Sequence, residues 1–546
     1  MANVTAVLLD TVSIQKYVFA GNRLSENLGA SALVRKIFDS ILAESVREVM
    51  GKEVDIAAWE KHPEEFAIEK DGLVEFEVGY IGGGNALLFF GGSDSTKKAK
   101  SFVGRWTEKI LVMAPGLATA VAIKSNFDFD NLVSETSELY KQLAVNKNRY
   151  FPVTRFIKHG ISRDCKLSNG ADETEVLLPD KVESVKVSWE FARKVKAAHE
   201  NPWNSKLDET LRNIMGDKFY FSHDLDKLGQ IEGDSHIAVV HIDGNNMSKA
   251  FAQCKTLVQK RRLSLAVSEV TEEVVGNIVE EMCKEGGLIK KLETPQSVFR
   301  FSHGDKKNVP FRPIVLEGDD ITFVTDGRLG VYLAKTILEE IEKLYPVIFA
   351  RYSVEDVKMS ACAGVAIVKT KYPFYRAYTL AEELCASAKK MSREHENTSW
   401  LDIYCVHNSF AGALEDIRKK HYTIMKDHTM FFGPYLVCGQ TAGVRTDGNV
   451  LHNLLTGIKV FNDPQKWPRR KAKELRELLA AGPESVKEYL AHDIAQLALP
   501  QLQGGRYHEK DKGGWEDKRT PYIDMLDLLD FYPQEVLVTE GGQTNG

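Results

Sequence analysis

Two short runs of apolar residues, each ending in an aspartate, stand at corresponding points in the hydrophobic pattern of the chain. Residues 3–10, NVTAVLLD, end in Asp10, and residues 235–243, SHIAVVHID, end in Asp243. Each run has the length and composition of a buried strand. Apolar residues then recur every three to four positions, which predicts a long helical region after each strand, the second over 256–283.

Each of these two segments continues into a predicted hairpin, a helix and one more apolar strand. The hairpins are FEVGYIGGGNALLFF, turning at 82–85, and RPIVLEGDDITFVTD, turning at 317–320. The matched spacing indicates one βαββαβ unit present twice. We therefore expect an α+β fold with two ferredoxin-like domains, each a four-stranded antiparallel sheet with two helices on one face.

The rest of the chain divides around these two repeats. We expect the first repeat over 1–125, a linker domain of helices and loops over 126–234, and the second repeat over 235–437. Beyond it, two stretches that open with proline predict helices of a C-terminal domain, 438–537. The polar end of the chain, 538–546, is expected to be a disordered tail.

Composition is that of an ordinary globular protein and argues against several kinds of partner. Hydrophobic residues make up 43% and charged residues 27%, and the net charge of −6 gives no general nucleic-acid signature. No window reaches about 18 apolar residues without charges, so no membrane partner is expected. The seven cysteines form no CxxC pair, which favours reduced thiols in the cytoplasm over a zinc site.

The turn of the second hairpin concentrates acidic residues: Glu317, Asp319 and Asp320 lie around Gly318. Aspartate and glycine are common in turns, so a solvated hairpin tip is the simpler interpretation. A divalent cation is the alternative, because it turns the mutual repulsion of carboxylates into a set of oxygen ligands. That alternative needs a further carboxylate from elsewhere in the chain.

The βαββαβ topology supplies this carboxylate, because its first and third strands are neighbours in the sheet. Asp243 is thereby expected beside Asp319 and Asp320. Three acidic groups at one exposed edge are typical of sites that hold two Mg²⁺ or Mn²⁺ ions about 4 Å apart and bind a nucleoside triphosphate. The sequence therefore predicts these three residues as catalytic metal ligands.

Further nucleotide contacts are expected from small residues near this edge. The segment after Asp243 opens a predicted helix, and its backbone N–H groups could approach phosphate oxygens; its residues are Gly244, Asn245, Asn246 and Met247. The first repeat retains Asp10 but has no acidic turn. Its glycine-rich turn, containing Gly83, Gly84 and Asn85, predicts a non-catalytic half against which a nucleotide can still lie.

Both repeats resemble the palm domains of GGDEF-type nucleotide cyclases and, more closely, those of the large polymerase-like subunit family of type III CRISPR effector complexes. DTVSIQKYVFAGNRLSENLGASALV with GGGN is similar to the family's first palm. HIDGNNM, EGDD and SACAGVAIVKTKYPFYRAYTLAEELCASAKK are similar to its second palm. The resemblance covers residues 1–125 and 235–405.

This resemblance implies an enzyme that joins ATP molecules through 3′–5′ bonds into cyclic oligoadenylate messengers. It implies Asp243 and Asp320 as metal-binding carboxylates, with Asp319 beside them in the signature turn. It also implies Gly318 as the glycine that lets the nucleotide lie close, and Lys389 as the lysine that meets the triphosphate.

The sequence departs from this family in several ways. EGDD replaces GGDD, so Glu317 could crowd the base or add a ligand. The first palm begins almost at Met1, so the N-terminal HD nuclease domain of the family, and its DNase activity, are not expected. The zinc-binding cysteine pairs between the palms are absent. The C-terminal domain matches too weakly to assume the family's usual contacts with small subunits.

Two hypotheses of different classes follow. The first is an Mg²⁺-dependent nucleotidyltransferase that makes cyclic or short oligonucleotides for a downstream effector in antiviral defence. The alternative is a non-catalytic scaffold or nucleotide sensor, with guide RNA and other effector-complex subunits as partners. A single-chain cyclic-dinucleotide synthase differs from the first hypothesis only in its product, and the sequence does not separate the two.

Overall fold

The computed structural model describes most of the chain. Its described residues are 3–69, 74–149, 163–168, 170–178, 183–199, 205–229, 236–294, 299–406, 412–439, 448–492 and 497–540. Parts of the expected linker and the last six residues of the expected tail lie outside these ranges. Among the described helices, none is long and apolar enough to cross a membrane.

The first repeat forms the predicted sheet and helices. Its elements are β1 (Thr5–Val12), α1 (Ile14–Val18), α2 (Leu24–Phe38), α3 (Ser40–Met50), α4 (Ala58–Lys61), β2 (Phe76–Gly82), β3 (Asn85–Phe90), α5 (Ser95–Met113) and β4 (Ala118–Lys124). The strand order is β2-β3-β1-β4, and all neighbours are antiparallel. The α+β class and the order of elements are therefore confirmed for this repeat.

Helices dominate the segment between the repeats. Its elements are α6 (Leu132–Lys147), β5 (Thr174–Leu177), β6 (Ser184–Val187), α7 (Trp189–His199), α8 (Ser205–Met215) and β7 (Phe219–Tyr220). Helix α6 covers the face of the first sheet that carries Ala6 and Leu8, through Leu139 and Leu143.

The second repeat begins with the same arrangement and extends it. Its elements are β8 (His236–Gly244), α9 (Met247–Gln253), α10 (Leu257–Cys283), α11 (Leu288–Leu292), β9 (Ser302–His303), β10 (Lys306–Asn308), β11 (Phe311–Glu317), β12 (Asp320–Asp326), α12 (Gly330–Arg351), β13 (Ala361–Lys369), α13 (Phe374–Glu394), β14 (Thr398–Cys405), α14 (Leu414–His421), β15 (Thr423–Ile424), β16 (His428–Thr429) and β17 (Tyr435–Gly439). The sheet order is β11-β12-β8-β13-β14-β17. The sheet thus has six strands instead of four, because the crossover helix α13 returns the chain to add β14 parallel to β13.

The C-terminal helices share the core of the second repeat. They are α15 (Leu451–Phe461), α16 (Arg469–Ala481), α17 (Pro483–His492), α18 (Tyr522–Asp527) and α19 (Gln534–Glu540). Leu454, Leu475 and Tyr522 belong to the same buried apolar cluster as Val240 and Ile337. The last helix extends three residues into the segment expected to be a tail.

The backbone of the two hairpins repeats in register. Each outer strand has one β-bulge, at Gly79 in β2 and at Ile314 in β11. Each turn is then closed by the same type of pair, Gly82 with Asn85 and Glu317 with Asp320. The duplication therefore extends from the order of elements to single backbone positions.

Side chains alternate between the two faces of the second sheet. On one face, Val240 and Ile242 pack with α10 and α12. On the other face, Val239 packs with α13 and with the first repeat. Because the period of a strand is two residues, His241 and Asp243 point to the same face as Val239.

One helix of the second repeat, α10, lies against both hairpin turns. A Cβ atom added at Gly82 would lie 3.0 Å from the Ser264 hydroxyl. The Thr271 hydroxyl donates a hydrogen bond to the carbonyl oxygen of Gly318 at 2.5 Å. Ser264 and Thr271 are two helical turns apart, about 10 Å along the axis, so the two turns lie close to each other over one helix.

Candidate functional site

Three carboxylates come together at the end of β8. The pairing of β8 with β12 places Asp243 in the register position beside Asp320. The Asp319 side chain lies over the backbone of Gly244, where an added Cβ atom would be 2.6 Å from Asp319 Oδ2. Gly244 therefore allows an approach that any larger residue would block. The structure brings together the three residues that the sequence predicts as metal ligands, which we call the carboxylate site.

The carboxylate site is accessible from solvent. The side chain of Asp243 is 39% exposed and that of Asp320 is 22% exposed. Gly318, at the tip of the turn, has a φ of 62° and open space where a side chain would lie. The turn therefore exposes its backbone next to carboxylate oxygens. A phosphate-bearing ligand can approach this arrangement.

A buried histidine, which the sequence interpretation missed, supports Asp320. His241 Nδ1 lies 3.3 Å from Asp320 Oδ1 and 3.0 Å from Thr322 Oγ1. Burial lowers the pKa of His241, but the carboxylate of Asp320 raises it, and the net shift is upward. His241 was recognisable as the one polar residue inside an apolar strand, two positions before Asp243.

The carboxyl group of Asp319 is held partly in its protonated form. Burial, followed by the negative charge of Asp243, raises the pKa of Asp319 to about 7. The first cause is loss of hydration in the turn, and the crowding of like charges adds to it. A bound cation would offset the free energy needed to ionise this carboxyl group. Asp319 is therefore suited to act as a metal ligand.

Replacing Asp319 by asparagine is expected to stabilise the metal-free protein at pH 8. The pKa in the folded protein is above its unfolded value of 3.8, so the ionisation penalty grows as pH rises from about 4 to about 7 and is complete above that. We expect the free energy of unfolding to rise by about 2 kcal/mol at pH 8 and by less at pH 5. The value at pH 8 is discounted because solvent screens a half-buried group. Urea unfolding at both pH values measures it; an equal gain at both would contradict this origin.

Lys389, in the last two turns of α13, lies on the carboxylate site itself. Its Nζ is 2.6 Å from Asp243 Oδ2 and donates a hydrogen bond to the carbonyl oxygen of Gly244 at 2.8 Å. The resemblance to the CRISPR family implies contact with a triphosphate. The structure places the ammonium group instead on the residues expected to bind the metal.

The loop after Asp243 contributes mainly to packing. Asn245 is buried; its N–H donates to the Ser360 carbonyl oxygen at 2.8 Å, and its amide donates to Ser360 Oγ at 2.9 Å. Met247 is buried in the core of the second repeat. The side chains of Asn245 and Met247 therefore hold the loop, and nucleotide binding by this segment stays a prediction. Asn246 has a φ of 60°, and its carbonyl group starts the short helix α9.

Glu317 has a cationic neighbour from the other repeat. Strand β11 packs against helix α2 of the first repeat, within one apolar cluster that includes Val34 and Val315. Burial and the charge of Asp320 raise the pKa of Glu317 to about 7, and Arg35 in α2 opposes this rise. Arg35 therefore offsets part of this rise across the repeat interface, which the sequence interpretation did not foresee.

The corresponding position of the first repeat has a single carboxylate. Asp10 pairs with Asn85 in the register where the second repeat has two aspartates. Lys147, at the end of α6, lies 2.5 Å from Asp10 Oδ2. A Cβ atom at Gly84 would be 2.2 Å from Ile14 Cδ1, so the turn needs glycine there for close packing. The aspartate–lysine pair is thus present in both repeats, but the acidic turn occurs in only one.

A cavity of about 890 Å³ lies between α1, the linker and α13. The rings of Phe19 and Tyr378 stack at its wall with centroids 3.7 Å apart. Glu26 also lines it, and its buried Oε2 has no hydrogen-bond partner among the described residues. Glu382 lines the cavity on the side of the carboxylate site. Burial raises the pKa of Glu382, the charge of His241 lowers it and that of Asp320 raises it. The volume lies in the range of small-molecule sites.

The carboxylate site has the donor set for hard divalent cations. Its oxygens come from three carboxylates and suit Mg²⁺ or Mn²⁺. Within the described ranges, only the exposed residues His62, Glu64 and Glu65 bring three ligand atoms within 4.8 Å of one another. Asp243, Asp319 and Asp320 do not come within this spacing in the described structure, so their binding of one or two ions stays a prediction.

A family model describes part of this chain. The model for the second palm domain of Cas10/Cmr2 matches residues 236–398, the segment that contains the carboxylate site and Lys389. A search of curated proteins found no match.

Alignments with solved structures cover nearly the whole chain. The crystal structure of Csm1 in T. onnurineus aligns with 97% of this chain and 70% of its own, at 13% identity and a TM-score of 0.50. A Csm1–Csm4 cassette in complex with cA4 aligns with 98% of this chain and 69% of its own, at 10% identity and a TM-score of 0.49. A cassette in complex with AMPPNP aligns with 96% and 70%, at 12% identity and a TM-score of 0.46. At such low identity the likeness to Csm1 concerns the fold.

Proposed function

We propose that this chain, whose second repeat belongs to the Cas10/Cmr2 second-palm family, is a metal-dependent nucleotidyltransferase. It would join ATP molecules into cyclic or short linear oligoadenylates that serve as second messengers in CRISPR-type antiviral defence. The observation that carries this proposal is the convergence of Asp243, Asp319 and Asp320 at one solvent-accessible strand end. A structural hairpin gains nothing from three repelling carboxylates, whereas a cation-binding site requires them.

Each residue of the site has a separate task in this reaction. Asp243, Asp319 and Asp320 would hold two Mg²⁺ ions, which supply charge neutralisation and a lower pKa for an attacking hydroxyl group. His241 keeps the Asp320 carboxylate in place through the contact at 3.3 Å. The 3′-hydroxyl group of one nucleotide would lose its proton to water, its oxygen would form a bond to the α-phosphorus of the next, the α–β phosphoanhydride bond would break, and pyrophosphate would leave. Catalysis rests on positioning and charge, without a covalent enzyme intermediate.

The first repeat would accept the second nucleotide. Its turn over α10 is close to the acidic turn, and the exposed Gly83 would present backbone to a ligand, whereas Gly84 is buried against Ile14. One catalytic half and one accepting half in a single chain suit stepwise elongation. Two equal halves would suit a symmetric cyclase instead.

The proposal is tested by incubating the protein with each nucleoside triphosphate and Mg²⁺. Products are separated by chromatography and identified by mass spectrometry, with and without RNA and proteins that copurify with the chain. We expect oligoadenylates and pyrophosphate from ATP. Absence of any product that depends on Asp319 and Asp320, with copurifying activators present, would exclude the proposal.

A non-catalytic scaffold or nucleotide sensor in an RNA-guided complex is the competing assignment. It predicts nucleotide binding without turnover and stable copurification with guide RNA and partner subunits. The carboxylate site speaks against it, because binding alone does not need Asp319 in a position where ionisation is unfavourable. Turnover by the isolated protein would separate the two assignments.

A further inference from the structure

The ammonium group of Lys389 contacts two oxygen atoms at the edge of the carboxylate site. It contacts one carboxylate oxygen, Asp243 Oδ2, at 2.6 Å, and one carbonyl oxygen, that of Gly244, at 2.8 Å. Carboxylate and carbonyl oxygens are the ligands of hard metal ions. The side chain is 20% exposed, so its flexible stem has room to leave this position.

The charges around Lys389 explain this placement. Burial and the charges of neighbouring carboxylates raise the pKa values of several acidic groups here. The charge of Asp320 raises the pKa of Glu317, and the charges of Asp243 and Asp320 raise those of Asp319 and Glu382. Among the described residues, Lys389 is the cation in direct contact with Asp243. Without it, Asp243 would add another uncompensated charge to a crowded group.

The same pair in the first repeat gives an internal comparison. Lys147 comes from the helix that follows the fourth strand, as Lys389 does, and it contacts Asp10 at 2.5 Å. Asp10, however, faces Asn85 and not a second carboxylate. A lysine–aspartate pair therefore belongs to the duplicated architecture, and only in the second repeat does it lie among further metal-ligand candidates.

We propose that Lys389 is a built-in counter-ion that a divalent cation must displace from Asp243, and that the displaced ammonium group then meets the triphosphate. An ammonium group and a divalent cation repel each other and use the same two oxygens, so they exclude each other at this position. Metal binding without nucleotide is thereby weakened. A nucleotide offers the displaced lysine a new anionic partner and makes metal and nucleotide binding cooperative. The role of the triphosphate rests on the proposed function, but the competition with the metal does not.

The test measures Mn²⁺ binding to the full chain without nucleotide, from the electron paramagnetic resonance signal of free Mn²⁺. We expect Lys389→Met to bind Mn²⁺ about tenfold more tightly than the unaltered protein, because a charge-assisted hydrogen bond no longer competes. Lys389→Arg keeps the cation and should bind Mn²⁺ as weakly as the unaltered protein. Circular dichroism and thermal unfolding show that the variants remain folded.

Two further lysine substitutions are matched controls. Lys390→Met removes the same charge one residue along α13, from an exposed side chain, and Lys147→Met releases Asp10 in the first repeat. Neither should tighten Mn²⁺ binding. Unchanged or weaker Mn²⁺ binding by Lys389→Met, or an equal gain in Lys390→Met, would overturn the proposal.

Nucleotide binding separates this inference from the proposed function. With a non-hydrolysable ATP analogue and Mn²⁺ present, Lys389→Met should lose the cooperativity between metal and nucleotide and bind the analogue more weakly. If the unaltered protein binds no nucleotide, the proposed function fails, and the Mn²⁺ comparison without nucleotide still decides whether Lys389 competes with the metal.

Discussion

Replacing Asp320 by asparagine is expected to lower the rate of nucleotide transfer by on the order of 10³-fold, the scale of losing a principal source of charge stabilisation. Asparagine keeps the shape of the side chain and an oxygen that can accept a hydrogen bond from His241, so the hairpin should remain folded. What is lost is the negative charge that holds a metal ion. The rate is measured from pyrophosphate release with ATP and Mg²⁺.

Asp10→Asn is the control in the first repeat, where Asp10 corresponds to Asp243 and Asn85 already stands at the position of Asp320. This variant likewise loses a negative charge, and with it the contact to Lys147, yet we expect a change in rate of less than about tenfold, since no metal ligand is removed. Equal losses in the two variants would contradict the division into a catalytic and an accepting half. Retention of more than a tenth of the rate by Asp320→Asn would contradict its role as a metal ligand.

Gly364→Ala is expected to destabilise the protein by about 3 kcal/mol and to impair metal binding as well. Gly364 lies in β13 beneath α13, where an added Cβ atom would be 2.0 Å from the carbonyl oxygen of Ala381 and 2.4 Å from the backbone nitrogen of Cys385. Backbone atoms cannot rotate aside, so the whole helix must move. Because α13 also carries Lys389, its displacement disturbs the carboxylate site.

The same substitution at Gly104 is the control. Gly104 lies inside α5, is exposed and has no atom within 4 Å of an added Cβ, so alanine should stabilise the protein by about 0.5–1 kcal/mol through its better helix propensity. Urea unfolding monitored by circular dichroism measures both changes. A loss of less than about 1 kcal/mol at Gly364 would mean that the packing of α13 on β13 is looser than described.

The sequence was sufficient for the architecture of the repeats because their patterns are local. Alternation in the strands, helical periodicity and two turns at matched spacing specify βαββαβ twice, and the topology then places Asp243 next to Asp320. The added strands β14 and β17 were not predicted, since pairing of distant segments leaves no periodic signal.

The details of the site could not be read from the sequence for a similar reason. Contact between Lys389 and Asp243 depends on how α13 crosses the sheet, and the proximity of Arg35 to Glu317 depends on how the two repeats pack. Asn245 was expected near a nucleotide, and its burial, with hydrogen-bond partners supplied by Ser360, left no signal in the sequence. Each of these facts follows from tertiary packing.

The most direct test of a two-metal carboxylate site is anomalous diffraction from crystals soaked with Mn²⁺ and a non-hydrolysable ATP analogue. We expect two manganese peaks about 4 Å apart between Asp243 and Asp320, with the triphosphate beside them and Lys389 moved from Asp243 to a phosphate oxygen. Manganese bound elsewhere, or a nucleotide bound away from these aspartates, would contradict the assignment of this strand end as the catalytic centre.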